Sequence, residues 1–284
     1  MNLKTTLLPA LFLLFAVKVN AQNTPVKKEI IEKLEHAYDL DQDIRQKFGK
    51  AQPGSTEYKM LRDSLRYIDS VNQSVVFPVL DQYGWMSSKE ISQKASAAFY
   101  YVIQHAELPA QIKYARQIDK AYELKEISNL EYARFVDRLL FRQGKFQVYG
   151  LQSGADPLGN NFLYPVKDIK IADRERQRLG FGTIESEMGQ SGTYLTPDLS
   201  EFKYPVVFIA HIAGDKGFQT PAKDIEIICD SKVIARSNER GMVYVGLNKP
   251  PGQDLVLTLQ KDGKSRTYTL KGDNDFYEYW GMWN

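Results

Sequence analysis

An α+β fold, with a mainly helical N-terminal domain that includes a short strand pair and a C-terminal antiparallel β-sandwich of immunoglobulin or transthyretin type, is predicted by three observations. Apolar residues recur at three-and-four spacing as far as Gly144. The period then shortens in "KFQVYGLQ" and "NFLYPV". Beyond the small and turn-forming residues of "MGQSGTYLTP" lie six short alternating runs. At 284 residues the chain exceeds the ~100–200 of a usual single domain, so two domains are expected, residues 22–190 and 196–284.

The chain starts with Lys4, an apolar stretch from Leu7 to Val17, and the small-residue spacing Val19-Asn20-Ala21. That pattern reads as a secretory signal, residues 1–21, cleaved after Ala21. An uncleaved anchor would need ~20 apolar residues. The only cysteine is Cys229, so no Cys follows the stretch to carry a lipid. The expected location is periplasmic or extracellular, not as a lipoprotein and with no membrane span after cleavage.

The first helix runs from Val26 to Phe48, with Ile30, Ile31, Leu34, Ala37, Tyr38 and Ile44 on one stripe. A second starts near Ser55, and Pro78 should kink or end it before "QYGW". Ser87 and Glu90 have capping-box spacing and should open a third helix through "KEISQKASAAFYYVIQHA". Pro109 suits the first turn of a fourth. Ser128 and Glu131 repeat the box before "YARFVDRLLF", and Gly144 is placed to stop that fifth helix. "DRERQRLGF" reads as one more short helix. The runs "PVVFIAHIA", "DIEIICD", "KVIARS", "GMVYVGL", "DLVLTLQ" and "SRTYTLK" form the sandwich, with turns such as "KDGK" between them.

Removing Lys4 and Lys18 from the 37 Lys and Arg leaves 35, equal to the 35 Asp and Glu. A neutral mature chain has no general electrostatic reason to bind nucleic acid or an anionic membrane. One thiol forms no internal disulfide, and Cys229 reads as a small buried apolar residue.

Two polar residues fall on apolar stripes. His105 is seven residues after Ala98, and Asp137 is four after Ala133, so each points inward from its helix. A buried carboxylate needs a histidine, arginine or backbone N–H as partner. His105 and Asp137 are therefore expected to interact, directly or through one water. A structural polar network in which nothing reacts is the competing reading.

The stretches "WMSSKEI", "VIQHAELPAQ" and "FVDRLLFRQGKFQVYGLQ" together resemble a bacterial family of unknown function, DUF6624, over roughly Tyr83 to Gly182. The resemblance implies a helical domain with a Trp, a His-Ala-Asp element, an Asp-Arg pair and a Gln-x-Tyr-Gly-Thr-Gln string. Carried over, these are Trp85, His105, Gln111, Asp137, Arg138, Gln147, Tyr149, Gly150 and Gln152, with Arg176 beside them. Glu107 stands where the family has Asp, and Leu151 where it has Thr.

One histidine, one carboxylate, one arginine and several amides suit general acid-base catalysis with an anion or carbonyl clamp. His105 and Asp137 would be catalytic, with Trp85, Gln111, Arg138, Gln147, Tyr149 and Gln152 binding substrate. No Gly-x-Ser-x-Gly elbow supplies a nucleophile, so a His105-activated water is the simplest route to hydrolysis or group transfer. No metal site or cofactor is expected. Only His36, His105 and His211 occur, and there is no His-Glu-x-x-His. Arg174 and Arg178 form either a phosphate clamp or a solvated helix face. Phe276, Tyr277, Tyr279, Trp280 and Trp283 form either a sugar- or peptide-binding platform or the closed edge of the sandwich. The partner would be a small molecule, peptide or glycan. The rival is a non-catalytic envelope binding or scaffolding protein.

Overall fold

The computed structural model describes residues 25–52, 54–156, 158–188, 195–215 and 217–283. The expected signal and its cleavage point lie outside these residues, as does most of the expected domain junction. The architecture is α+β, with helices α1 to α7 preceding the sandwich strands.

Helices α1 (Pro25–Lys50) and α2 (Thr56–Tyr83) form an antiparallel pair, and Leu34, Ala37, Val76 and Leu80 bury their shared stripe. Ser55 caps α2 by accepting from Tyr58 N. The helix runs past Pro78 and ends at Gly84, whose φ is +68°. Pro78 is tolerated because it is exposed, as is Ser74, whose carbonyl would have received the missing N–H; water can serve that carbonyl.

Helix α3 (Gln93–His105) starts later than the capping-box spacing suggests. Ser87 and Glu90 do make the reciprocal type of contact, Ser87 N donating to Glu90 Oε2 at 3.0 Å, but they close an isolated turn. Ser92 is the N-cap, since its Oγ accepts from Ala95 N and the inward face begins there. Helices α4 (Leu108–Glu123) and α5 (Asn129–Arg142) follow the sequence reading, α4 with proline in its first turn and α5 with a complete Ser128–Glu131 capping box.

"KFQVYGLQ" is a loop with a single bridge, Gln147 to Val166, and not a strand. The short strand pair is β1 (Ser153–Ala155) with β2 (Asn161–Leu163). Helices α6 (Ile169–Arg178) and α7 (Ile184–Met188) complete this part.

Two four-stranded sheets make the sandwich. In one, β3 (Pro205–Gly214) pairs with β4 (Gly217–Pro221), β7 (Met242–Asn248) and β10 (Phe276–Met282). In the other the order is β6 (Lys232–Arg236), β5 (Glu226–Cys229), β8 (Leu255–Lys261), β9 (Lys264–Leu270). The expectation of a purely antiparallel sandwich is corrected at one place: β10 runs parallel to β3.

Strand β3 also explains why its sequence lacks alternation. Val206, Phe208, Ala210 and Ile212 face the second sheet, while Val207 and Ile209 pack against Phe162, Phe276 and Phe141. A strand covered on both faces reads as a continuous apolar run. The helical part therefore supplies the outer cover of one sheet. Polar ties cross the same boundary: Tyr244 Oη donates to Leu163 O at 2.7 Å, and Asp275 accepts from Phe146 N at 2.9 Å. No helix among the described residues is long and apolar enough to cross a membrane.

Candidate functional site

His105 ends α3, and its carboxylate partner comes from α1. Its Nδ1 lies 2.9 Å from Asp41 Oδ1 and 2.8 Å from Arg45 Nε. Arg45 Nε–H also reaches Asp41 Oδ1, at 3.1 Å. Two tautomers fit these contacts: Nδ1 accepts from Arg45 Nε and Nε2 carries the proton, or Nδ1–H and the Arg45 N–H both donate to Asp41 Oδ1. The second leaves Nε2 as an acceptor, and in both Nε2 has no hydrogen bond among the described residues. Asp69 from α2 closes the cluster, its Oδ1 2.5 Å from Arg45 Nη2. Three helices thus bring an Asp–Arg–Asp–His network together, with Asp41 1 % exposed and the other three half-buried.

The electrostatics follow from burial. Burial pulls the His105 pKa below its ordinary value despite the Asp41 hydrogen bond, so the imidazole is neutral near pH 7. Burial opposes the Asp41 charge, but the His105 hydrogen bond and Arg45 outweigh it and hold Asp41 below the usual carboxylate range. Asp69 goes the other way: burial and the Asp41 charge push it up to about 6 against Arg45. The ligand atoms of Asp41, Asp69 and His105 are close enough to hold a metal ion. Arg45 already bridges both carboxylates, however, and its guanidinium occupies the place a cation would take.

His105 opens on a cleft of about 370 Å³ whose wall includes Tyr101, Gln104, Arg134, Arg138 and Gln152. Arg138 makes no ion pair among the described residues, and its Nε is buried without a hydrogen-bond partner. Gln104 Oε1 is likewise buried and unbonded. A larger hollow of about 550 Å³ lies between Lys167–Ile171 and Thr196–Pro205, but no histidine lines it.

The expected His105–Asp137 pair does not form as a direct contact. Asp137, wholly buried on α5, accepts three backbone N–H bonds: Val148 and Tyr149 on Oδ1 at 2.8 and 3.0 Å, and Leu151 on Oδ2 at 2.8 Å. Burial pushes its pKa up to about 6 against those bonds and Arg176. The loop from Phe146 to Gln152 thus winds around a carboxylate. Gly150 makes the wind possible, with φ +67° and a missing Cβ that would lie 2.9 Å from Ile184 Cδ1.

The other motif residues divide between loop, core and cleft. Gln147 holds the loop shut, donating to Gln152 O and Tyr164 O and accepting from Gln152 N at 2.6 Å. Arg176, 1 % exposed, donates to Tyr149 O and Gly182 O and pairs with Glu187. Tyr149 lies away from the cleft, beside Tyr132 and Asp137, where burial raises its pKa to about 12. Trp85 packs on Phe99 in the helical core, and Gln111, fully buried, donates to Gln104 O. Only His105, Arg138 and Gln152 of the expected residues line the cleft.

Asp41, Arg45 and Asp69 were not singled out from sequence. Asp41 lies four residues after Ala37 and seven after Leu34, so the stripe test that placed Asp137 would have found it. Arg178 pairs with Glu175 and Arg174 is exposed, a solvated helix face. Phe276 is buried under the helical part and Tyr277 between the sheets, while Trp280, 48 % exposed, stacks on His211 at 3.9 Å. Cys229 is half-buried rather than buried, and burial beside Asp230 raises its pKa.

A family model described as "Family of unknown function (DUF6624)" matches residues 24–189. The match covers more than half of the chain, which therefore belongs to that family, and it takes in α1 and α2 with Asp41, Arg45 and Asp69. No curated protein and no solved structure matches.

Proposed function

We propose that this DUF6624 protein is exported and uses the helical part for metal-independent acid-base catalysis of hydrolysis or group transfer. His105 Nε2 would take a proton from a water or hydroxyl, and Asp41 would hold the ring and stabilise the imidazolium that forms. Arg138 would hold the substrate oxygen on which negative charge develops. Asp69 and Arg45 keep Asp41 in place. The observation that carries this reading is a cleft-lining histidine whose Nδ1 lies 2.9 Å from a buried carboxylate, with no hydrogen bond at Nε2 among the described residues, beside an arginine that makes no ion pair among them.

Nitrogen NMR on the full chain tests it without a substrate. The His105 resonances should report Nδ1 protonated and Nε2 bare at pH 7, and an Asp41→Asn variant should lose that tautomer preference. Hydrolysis of p-nitrophenyl acetate or p-nitrophenyl phosphate, where found, should fall at least ~100-fold in a folded His105→Asn variant. An Nε2-protonated His105, with Nδ1 accepting from Arg45, would remove the base.

A second reading, a binding or scaffolding protein with structural polar groups, is favoured at Asp137, whose recorded partners are all backbone. It accounts for the loop and leaves the open Nε2 and unpaired Arg138 unexplained.

A further inference from the structure

Four guanidinium groups gather around the His105 end of the helical part, and their partners are unequal. Arg45 is neutralised by Asp41 and Asp69, and Arg142 donates to the carbonyl of Ala106 at the end of α3. Arg134 and Arg138, one turn apart on α5, line the cleft with no ion pair among the described residues. Glu131, three residues before Arg134, would be the obvious partner. Its Oε2 is instead committed to the capping box, accepting from Ser128 N at 2.7 Å and Ser128 Oγ at 2.8 Å. The helix cap thus diverts the one carboxylate on the cleft wall.

Two like charges one turn apart on a helix repel, and an anion held between them in the cleft would relieve that repulsion. We infer that the cleft is the binding site of a small phosphorylated molecule, its phosphoryl oxygens seated on Arg138 and Arg134 beside His105. This rests on the proposed function for the role of His105 but not for the binding itself.

A phosphoryl group suits the site better than a carboxylate for two reasons. Side chains four apart on a helix have Cβ atoms ~5–6 Å apart, so their two forks converge on a tetrahedral group from separate directions. A dianion also suits a wall on which two guanidinium charges outnumber the one carboxylate of Glu131. Burial, and after it the neighbouring charges of Arg142, Arg45 and Arg134, lowers the Arg138 pKa, and those neighbouring charges add to the attraction for an anion. The cleft volume of about 370 Å³ lies at the lower end of small-molecule sites, ~300–1,000 Å³, leaving room for a compact polar remainder against Gln104 and Gln152.

The test is calorimetric titration of the full chain with inorganic phosphate at low ionic strength, where exposed charge is least screened. Saturable binding is expected, weakened at least tenfold in Arg138→Met and several-fold in Arg134→Met. A His105→Asn variant should keep the affinity within about threefold, so the anion site can stand even where the catalytic reading fails. A competing series with acetate and malonate reads the class. Phosphate binding that is non-saturable, unchanged in Arg138→Met, or weaker than malonate binding would overturn the inference. Arg174→Met, on the solvated face of α6, is the charge-matched control and should leave binding unchanged.

Discussion

Replacing Gly150 by alanine tests whether the loop around Asp137 is held by the geometry described. The residue sits at φ +67°, in the left-handed region, where an L side chain costs ~1–2 kcal/mol. The new Cβ would lie 2.9 Å from Ile184 Cδ1 and 3.3 Å from its Cγ1, inside normal contact. Ile184 is fully buried with Leu163, Val166 and Ala172, so it yields only by leaving its rotamer, at about 0.5–1.5 kcal/mol. A stiffer unfolded chain returns ~0.4–1 kcal/mol. The net expectation is a loss of about 0.5–3 kcal/mol in urea denaturation.

Gly180 supplies the control. Its φ is +82°, but nothing lies within 4 Å of the added Cβ, so Gly180→Ala carries the conformational cost alone. Gly150→Ala should exceed it by the packing cost, and the Leu151 amide, bonded to Asp137 Oδ2, should exchange faster with solvent. Equal destabilisation of the two variants, with Leu151 still protected, would refute the tight fit of Gly150 against Ile184.

Asp69, with a folded pKa of about 6 against 3.8 unfolded, binds more protons in the folded state between those values, so its contribution to stability rises as pH falls through 6. Wild type should therefore gain about 1.4 kcal/mol relative to Asp69→Asn between pH 7.5 and 5, read from urea midpoints, 1.36 kcal/mol being the value of one pH unit. A difference that stays flat or shrinks would contradict that environment. Asp137→Asn keeps one oxygen for Val148 and Tyr149 but turns an amide NH2 toward Leu151 N–H. Exchange at Leu151 should quicken while the His105 imidazole titration stays put; a shifted titration would mean that Asp137 and not only Asp41 governs the histidine.

Local signals carried most of the helical reading. The Ser128–Glu131 box and Pro109 each act within one turn, and α4 and α5 start where they imply. The start of α3 was harder, because Ser87 and Ser92 both offer a cap. What separates them is that Ala95, Ala98 and Phe99, all fully buried, follow Ser92, a tertiary fact. Pairing partners are still less local: "DFYEYWGMWN" gives no hint that β10 lies parallel to β3. The site divides in the same way. His105 and Arg138 were legible from their stripe and the family motif, whereas the meeting of Asp41, Asp69 and His105 depends on how α1, α2 and α3 pack.

Asp137 and Arg138 are neighbours on α5, and that adjacency links the loop to the cleft. Successive helical residues point ~100° apart, so one side chain can enter the loop while the next enters the cleft. Asp137 fixes the Leu151 N–H relative to α5, and Gln152, the following residue, stands on the cleft wall with Arg138. Gln147 then grips Gln152 by its backbone N–H and carbonyl. The separation of Gln152 from Arg138 is therefore set through one buried carboxylate and one buried amide. A displacement of α5 that moved Arg138 would carry the loop with it, so the cleft keeps its width as the helix shifts. Placing a binding group on a regular helix and bracing the opposite wall from that same helix is how a site holds its geometry to fractions of an ångström. On this argument the Asp-Arg pair serves as a unit, with Asp137 positioning the wall against which Arg138 works.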